Sequence, residues 1–156
     1  MIKKDVVAGL GEIGKPILQL ISNTVPVIGY DLNSKLVDKK LVSKYGKLET
    51  RILHVCIPFT KNFVSDILKL YKEFQPECIV VHSTISPGTT KQVQTVLSIP
   101  IIYSATRGVH KRMLSDLKRY TKFFAIYPTA PRAKWASKTY SNLLKECKVK
   151  TKQMTN

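Results

Sequence analysis

Short apolar, β-branched runs alternate along this chain with segments of helical periodicity, and this alternation constrains the fold more than any other feature. The pattern is typical of parallel strands joined by crossover helices. Several runs are apolar at every position, as expected for strands that helices cover on both faces. We therefore predict an α/β fold with a mostly parallel sheet of about six strands. The predicted strands are residues 4–8, 25–30, 52–57, 78–82, 101–103 and 122–127.

The segments between these strands carry helical signals. Apolar residues recur at three- and four-residue spacing over 13–21 and 63–74, which predicts two amphipathic helices. Ser86 and Pro87 predict the N-cap and first position of a third helix. A strongly basic helix is predicted over 111–120, and a last one over 133–145. Helices therefore lie on both faces of the predicted sheet.

The strongest local motif is G-L-G-E-I-G at residues 9–14, which follows the first strand and opens the first helix. Gly9 permits a tight turn, Gly11 lets the backbone approach a pyrophosphate, and Gly14 lets the helix pack closely on the strand. The amide groups and positive dipole end of that helix then face the phosphates. The motif predicts a Rossmann-type, doubly wound fold that binds a dinucleotide. The residues expected to bind it here are Gly9, Gly11, Glu12, Ile13 and Gly14.

Asp31 ends the second predicted strand, 22 residues after Gly9. An acid at this spacing accepts hydrogen bonds from the adenosine ribose and repels a 2′-phosphate. The sequence thus predicts NAD as the cofactor in preference to NADP, although the nearby Lys35 opposes this selectivity. The alternative is that the glycines serve only a tight strand-to-helix connection and that Asp31 caps the next helix.

Length and composition suit one globular unit. We predict a dinucleotide-binding domain at 1–130, followed by a C-terminal helix and a short strand or tail at 131–156. No apolar run is long enough to cross a bilayer, so we expect a cytoplasmic protein. Cys56, Cys78 and Cys147 are odd in number and lack metal-ligand spacing with the histidines, so we expect reduced thiols and no metal site.

Four stretches resemble a known family. They are G-E-I-G-K-P at 11–16, V-C-I-P at 55–58, H-S-T-I-S-P-G-T-T at 82–90, and the region 122–150. These are similar to parts of the NAD-binding, N-terminal domain of the UDP-glucose/GDP-mannose dehydrogenase family, within the 6-phosphogluconate dehydrogenase-like superfamily. The resemblance implies that Ile57 and Pro58 lie along the cofactor. It also implies that Thr84 lies beside the nicotinamide and orients a water, whereas the plainer alternative is that Thr84 merely ends a strand.

Parts of that family's machinery are missing from this sequence. The family's glutamates should fall near residues 104–110, where no carboxylate occurs. Its second domain, with a catalytic cysteine, lysine and asparagine, is also absent, and nothing identifies Cys147 as a substitute. The chain is therefore expected to be NAD-dependent oxidoreductase-like but incomplete as an enzyme on its own, and whether it turns over stays open.

A basic cluster follows the fifth predicted strand. Arg107, Lys111 and Arg112 suit a ligand that bears phosphate or carboxylate, such as a nucleotide sugar, and His110 could accept a proton near neutral pH. The alternative is that these residues are the solvated start of a basic helix.

The net positive charge of the chain suggests a different class of function, the binding of a polyanion such as nucleic acid. The chain has 26 Lys and Arg against 10 Asp and Glu, which gives a net charge of +16. Such a charge attracts polyanions, but the basic residues are spread along the chain without an interleaved aromatic platform. Three hypotheses follow. In the first, the chain is an NAD-binding dehydrogenase-like domain that is a fragment, works with a separate catalytic chain, or forms a homo-oligomer. In the second it is a non-catalytic nucleotide-binding or sensing module, and in the third a basic nucleic-acid-associated protein.

Overall fold

The computed structural model describes residues 1–108 and 110–155, with the backbone alone for His110. Within this part of the chain there are seven strands, β1 (Lys4–Ala8), β2 (Val27–Tyr30), β3 (Thr50–Val55), β4 (Cys78–Val81), β5 (Ile101–Tyr103), β6 (Lys122–Ile126) and β7 (Thr151–Gln153). They form one sheet in the order β2-β1-β3-β4-β5-β6-β7. The first five strands are parallel, β6 runs antiparallel to β5, and β7 runs parallel to β6.

Helices cover both faces of the sheet, as predicted. They are α1 (Gly14–Ser22), α2 (Lys39–Tyr45), α3 (Phe63–Phe74), α4 (Thr89–Val96), α5 (Met113–Arg119) and α6 (Ala133–Glu146), with short 3₁₀ turns at Ser34–Leu36 and His110–Arg112. Apolar residues of α1, α5 and α6 form one buried cluster with one face of the sheet. Residues of α3 and α4 form a second cluster with the opposite face. This arrangement confirms the α/β, Rossmann-type class.

Two local expectations were wrong. The helix predicted to start at Ser86 and Pro87 begins at Thr89 instead, because Gly88 takes a left-handed conformation with a φ of +86° and separates the proline from the helix. Helix α2 was not predicted, since it is short, rich in lysine and buries no residue. The side chain of Asp38 accepts hydrogen bonds from the amides of Lys40 and Leu41 and fixes the start of α2.

The strand order places the functional crevice. Strand β1 lies between β2 and β3 in the sheet. The chain passes from β1 to β2 on one side of β1 and then returns past β1 to β3 on its other side, so the order of the strands reverses between β1 and β3. In open α/β sheets, ligands bind in the crevice that this reversal opens at the carboxyl ends of the strands. The glycine turn follows β1 at this edge. Among the described residues, no helix has the length and apolar character needed to cross a membrane.

Candidate functional site

The three glycines of the turn have different surroundings. A β-carbon at Gly9, whose φ is +91°, would lie 2.8 Å from the carbonyl carbon and oxygen of Cys56. A β-carbon at Gly14 would lie 1.5 Å from the carbonyl oxygen of Gly9. At Gly11, by contrast, a β-carbon would meet no described atom within 4 Å. The fold therefore explains why residues 9 and 14 are glycines, and it leaves the glycine at position 11 unexplained.

Asp31 is bound directly to this turn. The amide of Leu10 donates to Oδ2 of Asp31 at 2.8 Å, and the amide of Asn33 donates to Oδ1 at 2.8 Å. The carboxylate is half-buried, and each of its oxygens retains a lone pair for a further donor. Asp31 is not a helix cap, because Asn33 caps the following 3₁₀ turn and Asp38 caps α2. The acid predicted from spacing thus lies beside the glycine turn.

A cavity of about 310 Å³ opens next to Gly9 and Asp31. Apolar side chains line part of it and polar groups line the rest, which is the usual composition of a small-molecule pocket. Ile57 and Pro58, which the family resemblance placed along the cofactor, are among the lining residues. The full set is Gly9, Tyr30, Asp31, Leu32, Ile57, Pro58, Thr60, Asp66, Lys69, Leu70 and Glu73.

Thr84 lies at the same edge of the sheet. Strands β3 and β4 are paired through Val55 and Val81, so the residues that follow them leave the sheet side by side. The hydroxyl of Ser83 donates to the carbonyl of Ile57 and joins the two segments. Thr84 comes next and is exposed. The structure therefore brings the glycine turn, Asp31, Ile57, Pro58 and the Thr84 segment to one edge.

The predicted anion cluster is engaged elsewhere. The guanidinium of Arg107 lies 5.7 Å from the centre of the Tyr120 ring. Nε of Arg112 lies 3.3 Å from Oδ1 of the buried Asp116. Lys111 is exposed, and the side chain of His110 lies outside the described part of the chain. None of the described side chains of this cluster lines the 310 Å³ cavity.

Three buried polar side chains form a hydrogen-bonded row that the sequence analysis missed: Asp5 on β1, His54 on β3, and His82 directly after β4. Nε2 of His54 lies 3.0 Å from Oδ2 of Asp5, and Nδ1 of His54 lies 3.0 Å from Nε2 of His82. Arg51 also donates to both oxygens of Asp5. Because an ionised carboxylate only accepts, Nε2 of His54 donates to Asp5. Nδ1 of His82 has no hydrogen-bond partner among the described residues.

The charges of this row follow from burial and contacts. Burial would raise the pKa of Asp5, but His54 and Arg51 outweigh it and hold that pKa below its ordinary value. Burial, together with Lys122, lowers the pKa of His82 well below its ordinary value, so the ring is neutral. The row is therefore an ionised acid that orients His54, followed by a neutral His82 ring that lies two residues before Thr84.

A second buried group organises the loop after β5. Nζ of Lys122 lies 2.8 Å from the carbonyl oxygen of Ser104 and 3.1 Å from Oγ1 of Thr106. Burial lowers the pKa of Lys122 to about 7, an effect that Cys56 opposes. Burial also raises the pKa of Cys56 to about 12, so this thiol is a poor nucleophile. The loop where the resemblance placed catalytic glutamates is thus held by a lysine and carries no carboxylate at residues 104–108.

Several solved structures with similar folds are dehydrogenases. The UDP-D-ManNAc dehydrogenase of Pyrococcus horikoshii is 16% identical with a TM-score of 0.78, over 97% of this chain and 47% of that one. The UDP-N-acetyl-mannosamine dehydrogenase of Staphylococcus aureus is 17% identical with a TM-score of 0.72, over 97% and 47%. Prephenate dehydrogenase from A. aeolicus, in complex with hydroxyphenyl propionate and NAD+, is 14% identical with a TM-score of 0.70, over 99% and 60%.

No family model matches the sequence, and no curated protein matches it. At the identities of the structural matches, the likeness shows the fold. It confirms, at that level, the resemblance to nucleotide-sugar dehydrogenases drawn from the sequence motifs. The chain has the Rossmann-type α/β fold that these dehydrogenases contain, and it spans about half the length of the UDP-N-acetylmannosamine dehydrogenases that it matches.

Proposed function

We propose that this chain is an NAD-binding, dehydrogenase-like domain that corresponds to the cofactor-binding part of such enzymes. The observation that carries the proposal is the open space at Gly11. The fold does not require a glycine there, yet a side chain would project into the crevice where a ligand's phosphates would lie. This glycine lies in the turn bound to Asp31, beside a cavity of about 310 Å³.

Each part of the cofactor has a place in this proposal. The pyrophosphate lies over Gly11, against the backbone of Glu12, Ile13 and Gly14 at the start of α1. The ribose hydroxyls donate to the remaining lone pairs of Asp31. The adenine enters the cavity over Ile57 and Pro58. A 2′-phosphate would meet the Asp31 carboxylate, so NAD is favoured over NADP.

The nicotinamide end lies toward Thr84, and NAD bound there would accept a hydride from a substrate. The residues on this chain hold and orient the cofactor. Reaction then depends on groups that a separate catalytic chain or a second copy supplies. Arg107, Lys111 and Arg112 are the candidate site for an anionic substrate such as a nucleotide sugar, and His110 is the candidate proton acceptor. With three buried, unpaired cysteines, we place the protein in the reducing cytoplasm.

A second candidate is a nucleotide-binding or sensing module without turnover. The observation that favours it is the loop after β5, where Lys122 holds the backbone and no carboxylate occurs at residues 104–108. Both candidates require NAD binding. They differ in whether a catalytic partner restores hydride transfer.

Calorimetric titration of NAD into matched variants tests the proposal. Asp31→Ala removes a charged acceptor, which costs about 1.5–3 kcal/mol and weakens binding roughly ten- to hundredfold. Asp31→Asn keeps an acceptor for the Leu10 amide and separates loss of the turn contact from loss of the charge. Asp38→Ala, a control at the start of α2, should leave the affinity unchanged. Equal NAD affinity for Asp31→Ala and Asp38→Ala would refute the assignment.

A further inference from the structure

One face of the sheet is open at its β5–β6–β7 end. Residues paired directly across strands share a face, and the pairs here are Tyr103 with Ala125 and Phe123 with Lys152. Phe123 is 37% exposed, whereas Phe124, which points to the opposite face under α6, is 1% exposed. The open face therefore presents an aromatic ring beside a lysine.

A groove of about 330 Å³ adjoins this face. Two tyrosines and a proline are among the residues that line it, together with Ser86 before α4 and Thr90 in the first turn of α4. Flat aromatic walls with a few hydroxyls suit a planar ring that has hydrogen-bonding edges. The lining residues are Ile85, Ser86, Pro87, Gly88, Thr90, Tyr103, Ala125, Ile126 and Tyr127.

The positive charge of the chain is concentrated in the same half. Residues 78–156 contain 14 Lys and Arg against two acids, whereas residues 1–77 contain 12 against eight. Lys152 lies beside Phe123, and Lys91 follows the groove residue Thr90; both lysines are exposed. Among the described residues, neither lysine lies within ion-pair distance of a carboxylate side chain. A polyanion would therefore meet two lysines that no described carboxylate pairs, one beside Phe123 and one next in sequence to the groove residue Thr90.

We propose that this open face binds single-stranded nucleic acid. Tyr103 and Phe123 are diagonal neighbours on β5 and β6, about 7–8 Å apart, so each can stack on a base of one strand. The groove accepts a base, and Lys91 and Lys152 neutralise phosphates. The basic and aromatic residues that are separate in the sequence are brought together by the sheet. Phe123 on β6 and Lys152 on β7 lie away from the crevice at β1 and β3, so the proposal does not rest on cofactor binding, although the groove itself begins at Ile85, directly after Thr84.

Fluorescence anisotropy with a labelled 15-nucleotide oligo(dT) and oligo(rU) tests this on the full chain. Phe123→Ala should weaken binding by about five- to 150-fold, the range for loss of one stacked base. Lys152→Ala should lower the slope of log affinity against log salt by about one. The control Lys40→Ala, on the exposed side of α2, should change neither. Because Tyr103 is half-buried, the exposed Phe123 is the primary aromatic variant.

Four outcomes would count against the proposal. No binding of either oligonucleotide would overturn it, as would binding that Phe123→Ala leaves unchanged. Equal competition by polyglutamate would show a surface for acidic proteins instead. Displacement of the oligonucleotide by saturating NAD would place it in the cofactor crevice. Failure of NAD binding alone would overturn the proposed function and leave this inference standing.

Discussion

The glycine turn allows a test in which two similar substitutions should differ in their effect on the free energy of unfolding. In Gly14→Ala, the new β-carbon would lie 1.5 Å from the carbonyl oxygen and 2.7 Å from the carbonyl carbon of Gly9. To avoid this clash the backbone of the turn must move, which destabilises the fold by about 1–3 kcal/mol or more. The higher helix propensity of alanine than of glycine offsets at most about 1 kcal/mol of this loss. We expect a net loss of about 2 kcal/mol for Gly14→Ala.

Gly11→Ala should change the free energy of unfolding by less than about 0.5 kcal/mol, since a β-carbon there meets no described atom within 4 Å. Gly11→Val should also fold, yet it should lose NAD binding because its branched side chain occupies the space of the pyrophosphate. Urea unfolding followed by circular dichroism measures the first effect, and NAD titration of each folded variant measures the second. If Gly11→Ala were as unstable as Gly14→Ala, or if Gly11→Val bound NAD normally, the reasoning would be refuted.

Three further outcomes follow from the buried groups and the missing catalytic parts. Asp5→Asn removes the buried carboxylate that pairs with Arg51 and accepts from His54, so it should cost about 1.5–3 kcal/mol in urea unfolding, and a loss below about 1 kcal/mol would contradict a stabilising role for the row. Because burial lowers the pKa of Lys122 to about 7, the folded chain binds that proton less tightly than the unfolded chain above this pH. Stability should therefore rise from pH 7 to 9, by at most about 3 kcal/mol, and Lys122→Met should lack this rise; parallel pH curves for the two proteins would count against it. Purified alone, the chain should form no NADH with nucleotide sugars or small hydroxy acids over hours, and turnover that Thr84→Ala or His110→Ala abolishes would show a complete enzyme.

Much of the fold could be predicted from the sequence because its strands are short and apolar. The strands at 4–8 and 101–103 have the predicted bounds, and the others differ by a few residues at their ends. Strand β7 has no such pattern, since Thr151, Lys152 and Gln153 are polar and are ordered by pairing with β6. Helix α2 could not be predicted because it is short and packs only partly buried residues, Leu41 and Tyr45, beside the edge strand β2.

Some parts of the candidate site could likewise be predicted from the sequence, and others could not. The glycine turn and Asp31 could be predicted to meet, because both follow adjacent parallel strands at the carboxyl edge. The row of Asp5, His54 and His82 could not, since two strands and the residue after a third contribute to it, and the strand register decides which side chains face each other. A signal was present, because His54 is a polar residue inside an otherwise apolar run and Asp5 begins another after two lysines. The partners of such residues become visible only in three dimensions.

The most direct test of the account is calorimetric titration of the unmutated chain with NAD and with NADP under the same conditions. The Gly11 space and the carboxylate of Asp31 predict saturable binding of NAD, with NADP at least about tenfold weaker because its 2′-phosphate meets that carboxylate. Absence of NAD binding, or NADP binding as tight as NAD, would contradict the central claim.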